Sequence, residues 1–296
     1  MFSHKKASHA IQHDIASYEI LKIMLEEFSG LLAGGSAYSV YHGSKLCDHL
    51  SKHDTADLDV YFPNEETYKA AVEFVTSKSD DINEYVNDRQ FNSNISIQKS
   101  VTGLCHNVWI DSHIRLQLVG CIFGTYSEIV ESFDFKNLEI GYYFKEGSYY
   151  EISSKNASNN SLLSIRHTRS PFLMHRIYKY ISYRGFQGVT SNSRKHVTDW
   201  IIKAASGYYN DNSDRCPSIY VNLLDNFGFK KLLKGSDIID DHDLVYMIGK
   251  IKEAEYENIE SNIASYGYMT SRFVQKKETR DLVIEEMKKR EFENGN

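Results

Sequence analysis

The 296-residue chain is 41% hydrophobic and 13% aromatic, which excludes a disordered polypeptide because a core of useful size can be buried. Its formal net charge of −6 excludes wholesale coating of nucleic acid but leaves room for local basic patches. The four cysteines form no CxxC pair, and the chain has neither a secretory signal pattern nor an apolar run long enough to span a membrane. These features predict a soluble protein of a reducing compartment, the cytoplasm.

The first half of the chain alternates between helical and strand-like patterns. Apolar residues at helical spacing predict helices over 15–28, 36–50, 67–75 and 125–133. Alternating or short apolar runs predict strands over 31–33, 58–62, 94–101, 113–119 and 133–144. This order of elements predicts a mixed sheet covered by helices.

The second half of the chain is helical in pattern. A polar segment over 151–161 marks a boundary by its composition. The helical patterns beyond it cover 171–186, 194–209, 218–229, 241–259 and 278–292. We therefore predict an α+β fold, with a domain of residues 1–150 followed by a mainly helical domain of residues 151–296.

A diglycine turn follows the first predicted strand at Gly34 and Gly35, with Ser36 directly after it. Residues without a Cβ allow a ligand to approach the backbone closely, and the helix that follows directs unpaired N–H groups outward. Such a turn is able to hold a phosphate, with the Ser36 hydroxyl as an extra donor. It is not a Walker loop, because no Lys-Ser/Thr pair follows the glycines.

Two carboxylates, Asp57 and Asp59, lie one residue apart in the next predicted strand. Residues i and i+2 of a strand project from the same face, and the two positions are about 6–7 Å apart along it. Like charges at this spacing repel each other unless a cation lies between them, and Mg²⁺ prefers such oxygen ligands. The pair therefore indicates part of a two-metal site for phosphoryl transfer.

Together these motifs, LAGGS at 32–36 and ADLDV at 56–60, resemble the nucleotidyltransferase superfamily of DNA polymerase beta, poly(A) polymerases and CCA-adding enzymes. The family pattern is an apolar residue, Gly-Gly/Ser, a helix, and then two acidic residues alternating with apolar ones. The resemblance covers roughly residues 15–145, and the stretch between the motifs is longer here than in many members. It implies a polymerase-beta-like catalytic domain that uses Mg²⁺ or Mn²⁺ and an NTP, with ATP favoured.

The resemblance also implies a third carboxylate from a neighbouring strand, which would complete the metal site. Asp134 is the first candidate, because it lies between aromatic residues at the start of a predicted strand. Glu139 and Asp111 are the reserves. Gln117 is a candidate for the equivalent sheet position, although an amide replaces a carboxylate poorly.

A basic segment extends from residue 152 to residue 198 and contains no Asp or Glu. Its basic residues are Lys155, Arg166, Arg169, Arg176, Lys179, Arg184, Arg194 and Lys195. Tyrosines interleave with them, and basic residues with aromatics are typical of grooves that bind single-stranded nucleic acid. Arg176 and Lys179 lie near one face of a predicted helix and are candidates for triphosphate contact.

The function predicted from these patterns is transfer of a nucleoside monophosphate, AMP in the first instance, from an NTP to a hydroxyl. Asp57, Asp59 and Asp134 would hold the metal ions, and the acceptor favoured by the basic segment is the 3′ end of tRNA or another RNA. One alternative is nucleotidylation of a protein or small molecule, of the toxin or aminoglycoside type. Another is a nucleotide-binding or RNA-binding module without catalysis. The oligomeric state stays open.

Overall fold

The structure is a computed structural model that divides into two compact units, Met1–Phe133 with Asn137–Ser158, and Asp134–Lys136 with Asn159–Asn296. The residues it describes are 2–51, 56–81, 95–99, 105–111, 114–166, 176–177, 180–181 and 184–197. The helices predicted beyond residue 197 lie outside the described residues, so the mainly helical second domain stays a prediction.

The first unit is built on an eight-stranded sheet with the strand order β1-β8-β7-β2-β3-β6-β5-β4. The strands are β1 (Phe2–Lys6), β2 (Leu31–Ala33), β3 (Leu58–Tyr61), β4 (Ile95–Lys99), β5 (Cys105–Ile110), β6 (Ile114–Val119), β7 (Ile140–Lys145) and β8 (Ser148–Ser154). β3 and β6 are parallel, and every other neighbouring pair is antiparallel. The mixed sheet with its helices confirms the α+β prediction for this part of the chain.

Six helices accompany the sheet in the described part of the chain. They are α1 (His9–Ala16), α2 (Glu19–Glu26), α3 (Gly34–Tyr41), α4 (Leu46–Leu50), α5 (Glu65–Asp81) and α6 (Tyr126–Glu131). None of the described helices has the length and apolar character needed to cross a membrane. α5 lies in the crossover that joins the parallel strands β3 and β6, and it contacts β4 and β6.

Two predicted helices are each divided in the structure. The helix predicted over 15–28 is α1 followed by α2, because Ser17 folds back on α1 through its N–H and its hydroxyl, while Tyr18 is extended. The helix predicted over 36–50 is α3 followed by α4, because Gly43 has a φ of +87° that ends the first helix.

Three strands of the sheet, β1, β5 and β8, have no counterpart among the predicted strands. β1 pairs with β8 at one edge of the sheet, and β5 pairs with both β4 and β6. β8 itself includes residues 151–154, which the composition assigns to the polar boundary, and all four are buried. Its serines and Glu151 resemble a loop in the sequence, although they belong to a strand enclosed on both sides by β1 and β7.

A hairpin connects β7 and β8 at Glu146 and Gly147. Both residues have positive φ angles, 49° and 76°, and they connect Lys145 to its partner Ser148. A two-residue turn of this kind matches the twist of the flanking strands.

The core of the first unit lies on both faces of the central strands. Leu31, Leu32, Val60, Leu116 and Leu118 are completely buried. β3 therefore directs Leu58 and Val60 into apolar packing, and Asp59, which alternates with them, faces the other side of the sheet. This alternation positions the acidic pair.

The second unit contains a short parallel pair, β9 (Leu162–Leu163) with β10 (Gly188–Val189). Phe135 and Ile165 form an isolated antiparallel bridge next to it. Residues 191–197 are helical. These contacts attach the 134–136 segment to the chain that follows Ser158.

Candidate functional site

The diglycine turn contacts the acidic strand directly. Gly34 begins α3 with a φ of +76°, a conformation that favours glycine. A Cβ built on Gly34 would lie 2.7 Å from Asp59 Oδ2, and Ala33 is paired with Asp59 across β2 and β3. The structure thus brings together the two motifs on which the resemblance rests.

The serine after the turn bonds to its own chain. Ser36 is fully buried, and its Oγ donates to the Ala33 carbonyl at 3.3 Å. Gly35 is the partly exposed member of the turn, whereas Gly34 and Ser36 are buried. The hydroxyl therefore shapes the start of α3 in this structure, and its contact with a phosphate stays a prediction.

The acidic pair faces an arginine and a glutamine on the neighbouring strand β6. Asp57 forms an ion pair with Arg115, and each of the two side chains is about one-fifth exposed, 21% and 23% respectively. Burial by itself would lower the pKa of Arg115, but the carboxylates of Asp57 and Asp59 raise it above its ordinary value. The guanidinium therefore carries a permanent positive charge next to both aspartates.

Gln117 occupies the sheet position directly beside Asp59 in the parallel pairing. Gln117 is buried, with 7% of the residue exposed, and its Nε2 donates to Asn107 Oδ1 at 3.0 Å. Asn107 is its partner on β5, and Gln98 lies opposite Asn107 on β4. A row of amide side chains thus continues from Asp59 toward the edge of the sheet. The first of them, Gln117, lies on the neighbouring strand, from which the resemblance implies a carboxylate.

Asp134, the predicted third carboxylate, belongs to the second unit, and its carboxylate binds Arg176. Arg176 Nε lies 2.7 Å from Asp134 Oδ2, and the Asp134 side chain is 1% exposed. The Asp134 carbonyl accepts a hydrogen bond from the Arg166 amide at 2.7 Å. Two predicted site residues, one a metal ligand and one a triphosphate contact, therefore bind each other.

The remaining predicted residues are distributed as follows. Glu139 is buried just before β7, and Asp111 is exposed in the turn after β5 with a φ of 52°. Lys179 lies outside the described residues. The catalytic and binding roles assigned to Asp134, Arg176 and Lys179 stay predictions.

Sequence reasoning missed His49. This side chain of α4 is fully buried, and its Nδ1 lies 3.0 Å from Ser39 Oγ on α3. Its Nε2 lies 3.1 Å from the backbone carbonyl of Asp57 and donates to it. Ser39 Oγ is also 3.1 Å from the carbonyl of Gly35. His49 therefore connects the diglycine turn to the start of the acidic strand, and a histidine with no ligand spacing around it gave no sequence signal for this role.

The donors present fit one hard divalent cation. Asp57 and Asp59 supply carboxylate oxygens, which Mg²⁺ and Mn²⁺ prefer, and Gly34 leaves the space at Asp59 Oδ2 that a Cβ would fill. A site for two ions requires further donors, and the described residues contain no group of three His, Cys, Asp or Glu side chains suited to a metal. β4, β5 and β6 contain no acidic residue.

The chain matches the model of the Gabija anti-defense 2 family (Gad2) over residues 3–175. This range covers more than half of the chain. The chain belongs to the Gabija anti-defense 2 family. The matched range includes the diglycine turn, the acidic pair and β6, so the site lies within the part that defines the family. No curated protein sequence matches the chain significantly.

Three solved structures are similar to this family member in fold. The Thermotoga maritima CCA-adding enzyme in complex with tRNA has 11% identity and a TM-score of 0.43, with coverage of 68% of this chain and 46% of that one. An apo CCA-adding enzyme has 10% identity, a TM-score of 0.44, and coverage of 96% and 86%. An apo tRNA-processing enzyme has 10% identity, a TM-score of 0.42, and coverage of 95% and 78%. The chain thus spans just under half the length of the Thermotoga enzyme.

Proposed function

We propose that the chain is a nucleotidyltransferase that transfers a nucleoside monophosphate, AMP in the first instance, from an NTP to a hydroxyl. We also propose that this transfer opposes a Gabija defence system in the cytoplasm of the host cell. The observation that carries the proposal is the close approach of Gly34 to Asp59, which brings the diglycine turn beside a pair of carboxylates.

The residues of the site divide the chemistry between them. The N-terminus of α3 and the partly exposed Gly35 would direct backbone N–H groups and the positive end of the helix dipole toward a bound triphosphate. Asp57 and Asp59 would hold a divalent ion, which when bound supplies positive charge to the phosphates. His49 keeps the carbonyl of Asp57 in place while this happens.

The proposed transfer is a single displacement. The acceptor hydroxyl oxygen forms a bond to the α-phosphorus, and the bond from that phosphorus to the bridging oxygen of the β-phosphate breaks. Pyrophosphate leaves, and the hydroxyl proton passes to solvent or to a carboxylate of the site. The protein contributes orientation and charge, as is general for phosphoryl transfer.

The acceptor is proposed to be an RNA 3′ end, because the basic segment follows the catalytic half of the chain. Arg166, Arg184 and Arg194 are its arginines in the described residues besides Arg176, which pairs with Asp134. Guanidinium groups of this kind bind phosphates of a single strand through charge-assisted hydrogen bonds.

A second candidate function is nucleotide binding without transfer. Gln117 favours it, because an amide occupies the sheet position next to Asp59 where the catalytic pattern expects a carboxylate. Such a protein would sequester a nucleotide or an RNA end, and its effect would depend on its concentration.

The first prediction is that the purified protein transfers radiolabel from an α-labelled NTP in the presence of Mg²⁺ or Mn²⁺. Each NTP is supplied with a mixed RNA pool and, in separate reactions, with an extract from cells that carry a Gabija system. Asp57→Asn with Asp59→Asn is expected to reduce transfer by at least about 100-fold, because both charged donors are lost.

The matched control is Glu66→Gln with Glu73→Gln, which removes two exposed charges from α5 and leaves transfer unchanged. Label on RNA supports the proposed acceptor, and label on a protein replaces it. Nucleotide binding without any labelled product supports the second candidate function and contradicts the enzyme.

A further inference from the structure

We propose that this site is built for one divalent ion, and that Arg115 is a positioning residue whose fixed charge replaces a second ion. The inference rests on the proposed function, since it concerns how the same site handles a nucleotide. It departs from the two-metal arrangement that the acidic pair indicates in the sequence.

The first support is the sheet register. β6 is parallel to β3 and lies directly beside it, so the residues of β6 that face the acidic pair are fixed by the pairing of Asp59 with Gln117. Residues two apart in β6 share a face, which places Arg115 and Gln117 on the same side as the aspartates. The ion pair between Arg115 and Asp57 confirms this side.

The second support is charge. Asp57, Asp59 and Arg115 together leave a single net negative charge at the acidic strand. One divalent ion already exceeds that charge by one positive unit, whereas a second would face the guanidinium and the first ion at close range, and the neighbouring strands β6, β5 and β4 supply no further carboxylate to bind it. Like charges at such distances repel strongly in a partly buried site.

The third support is the hydrogen bonding of the Gln117 amide. Its Nε2 is committed to Asn107, and its Oε1 is buried and accepts no hydrogen bond from the residues that the structure describes. Mg²⁺ prefers charged carboxylate oxygens as protein ligands. The amide of Gln117 carries no formal charge, so it is a poor substitute for the missing carboxylate.

Arg115 is held in place from two sides. Its guanidinium carbon lies 5.8 Å from the centre of the Trp109 ring, in a cation–π contact with its partner residue on β5. Its Nη2 binds Asp57 Oδ2. The arginine therefore fixes the Asp57 carboxylate and keeps its own charge beside it.

The second prediction is a count of Mn²⁺ ions bound per chain. Electron paramagnetic resonance follows free Mn²⁺ during titration of the full chain with a non-hydrolysable ATP analogue, and binding by the Asp57→Asn, Asp59→Asn variant is subtracted. One ion at the site is expected. Two ions would overturn the inference and leave the proposed function standing, and no ion would overturn both.

The variants test the two residues separately. Arg115→Gln is expected to tighten Mn²⁺ binding several-fold, since the opposing charge is lost, whereas Arg115→Lys retains the wild-type affinity.

Gln117→Glu is expected to raise the number of bound ions to two. Gln117→Asp is the second variant, used if the Gln117→Glu protein does not fold. An unchanged affinity in Arg115→Gln, or a count of one in folded variants of both kinds at Gln117, would overturn the assignment. Because binding alone is measured, a chain that transfers no label but binds one ion still supports this inference.

Discussion

At the scale of single residues, Gly34 is required both by its backbone conformation and by its closeness to Asp59. Its φ of +76° requires a left-handed backbone, and the space at its missing Cβ is occupied by Asp59 Oδ2 at 2.7 Å. Any side chain here strains the turn and also displaces the carboxylate. Gly43 has a similar φ of +87°, but a Cβ at this position would have no atom within 4 Å.

The third prediction uses these two glycines as a matched pair. Gly34→Ala and Gly43→Ala should each lower the free energy of unfolding by about 1–2 kcal/mol, because alanine is strained in the left-handed region. Only Gly34→Ala should weaken binding of a fluorescent ATP analogue, by about tenfold or more, or ~1.4 kcal/mol. Urea unfolding and fluorescence titration measure the two effects. Equal loss of nucleotide affinity in both variants would show that strain alone is responsible.

At the scale of elements, the site depends on how α3 and α4 are connected to β3. The break at Gly43 allows α4 to turn so that His49 reaches Ser39 on one side and the carbonyl of Asp57 on the other. The amide of Leu46 at the start of α4 donates to Asp14 Oδ2 at 2.9 Å, which ties this helix to α1. The short helix α4 thus serves as a support for the acidic strand.

The fourth prediction concerns His49. His49→Ala leaves buried hydrogen-bonding groups without their partner and should lower the free energy of unfolding by about 1–3 kcal/mol. His49→Gln, which keeps a donor near the position of Nε2, should recover part of the stability and most of the affinity for an ATP analogue. Urea unfolding with nucleotide titration measures both quantities. A His49→Ala variant that binds nucleotide as tightly as wild type would contradict the positioning role.

At the scale of the whole molecule, two half-buried histidines make stability depend on pH. Burial lowers the pKa of His42 below 6.5, with an opposing contribution from its hydrogen bond to the Ala157 carbonyl. Burial and then Lys99 lower the pKa of His106, which lies 2.6 Å from the Tyr68 hydroxyl. In both cases the unfolded chain takes up a proton at a higher pH than the folded one.

The fifth prediction follows from the sign of these shifts. Below pH 6.5 the unfolded state binds more protons than the folded state. The contribution of His42 and His106 to stability is therefore complete above pH 6.5, and it is lost as the pH falls through their lowered pKa values in the folded state. Urea unfolding between pH 7.5 and pH 5 should therefore show falling stability. Substituting both histidines by glutamine should reduce the slope, and an unchanged slope would contradict the prediction.

Features set by local patterns could be predicted from the sequence, and features set by contacts between distant residues could not. The short strand β2 and the end of β7 follow from local patterns, because apolar runs and turn residues act over a few positions. The division of the two predicted helices depended on the conformations of Tyr18 and Gly43. Strands β1 and β8 are polar in sequence and owe their assignment to each other, since β1 is paired with β8 along its whole length.

By itself, the sequence determined the fold class of the first half and the two motifs of the candidate site, because both depend on the spacing of residues that are close together in the chain. Only the tertiary structure decided which residues stand beside those motifs. A shift of β6 by one residue would replace Gln117 with a leucine at Asp59, so pairing between distant strands, and not any local pattern, brought an arginine and an amide there. The role of His49 and the pairing of Asp134 with Arg176 have the same origin, since contacts between residues far apart in the chain are fixed by packing.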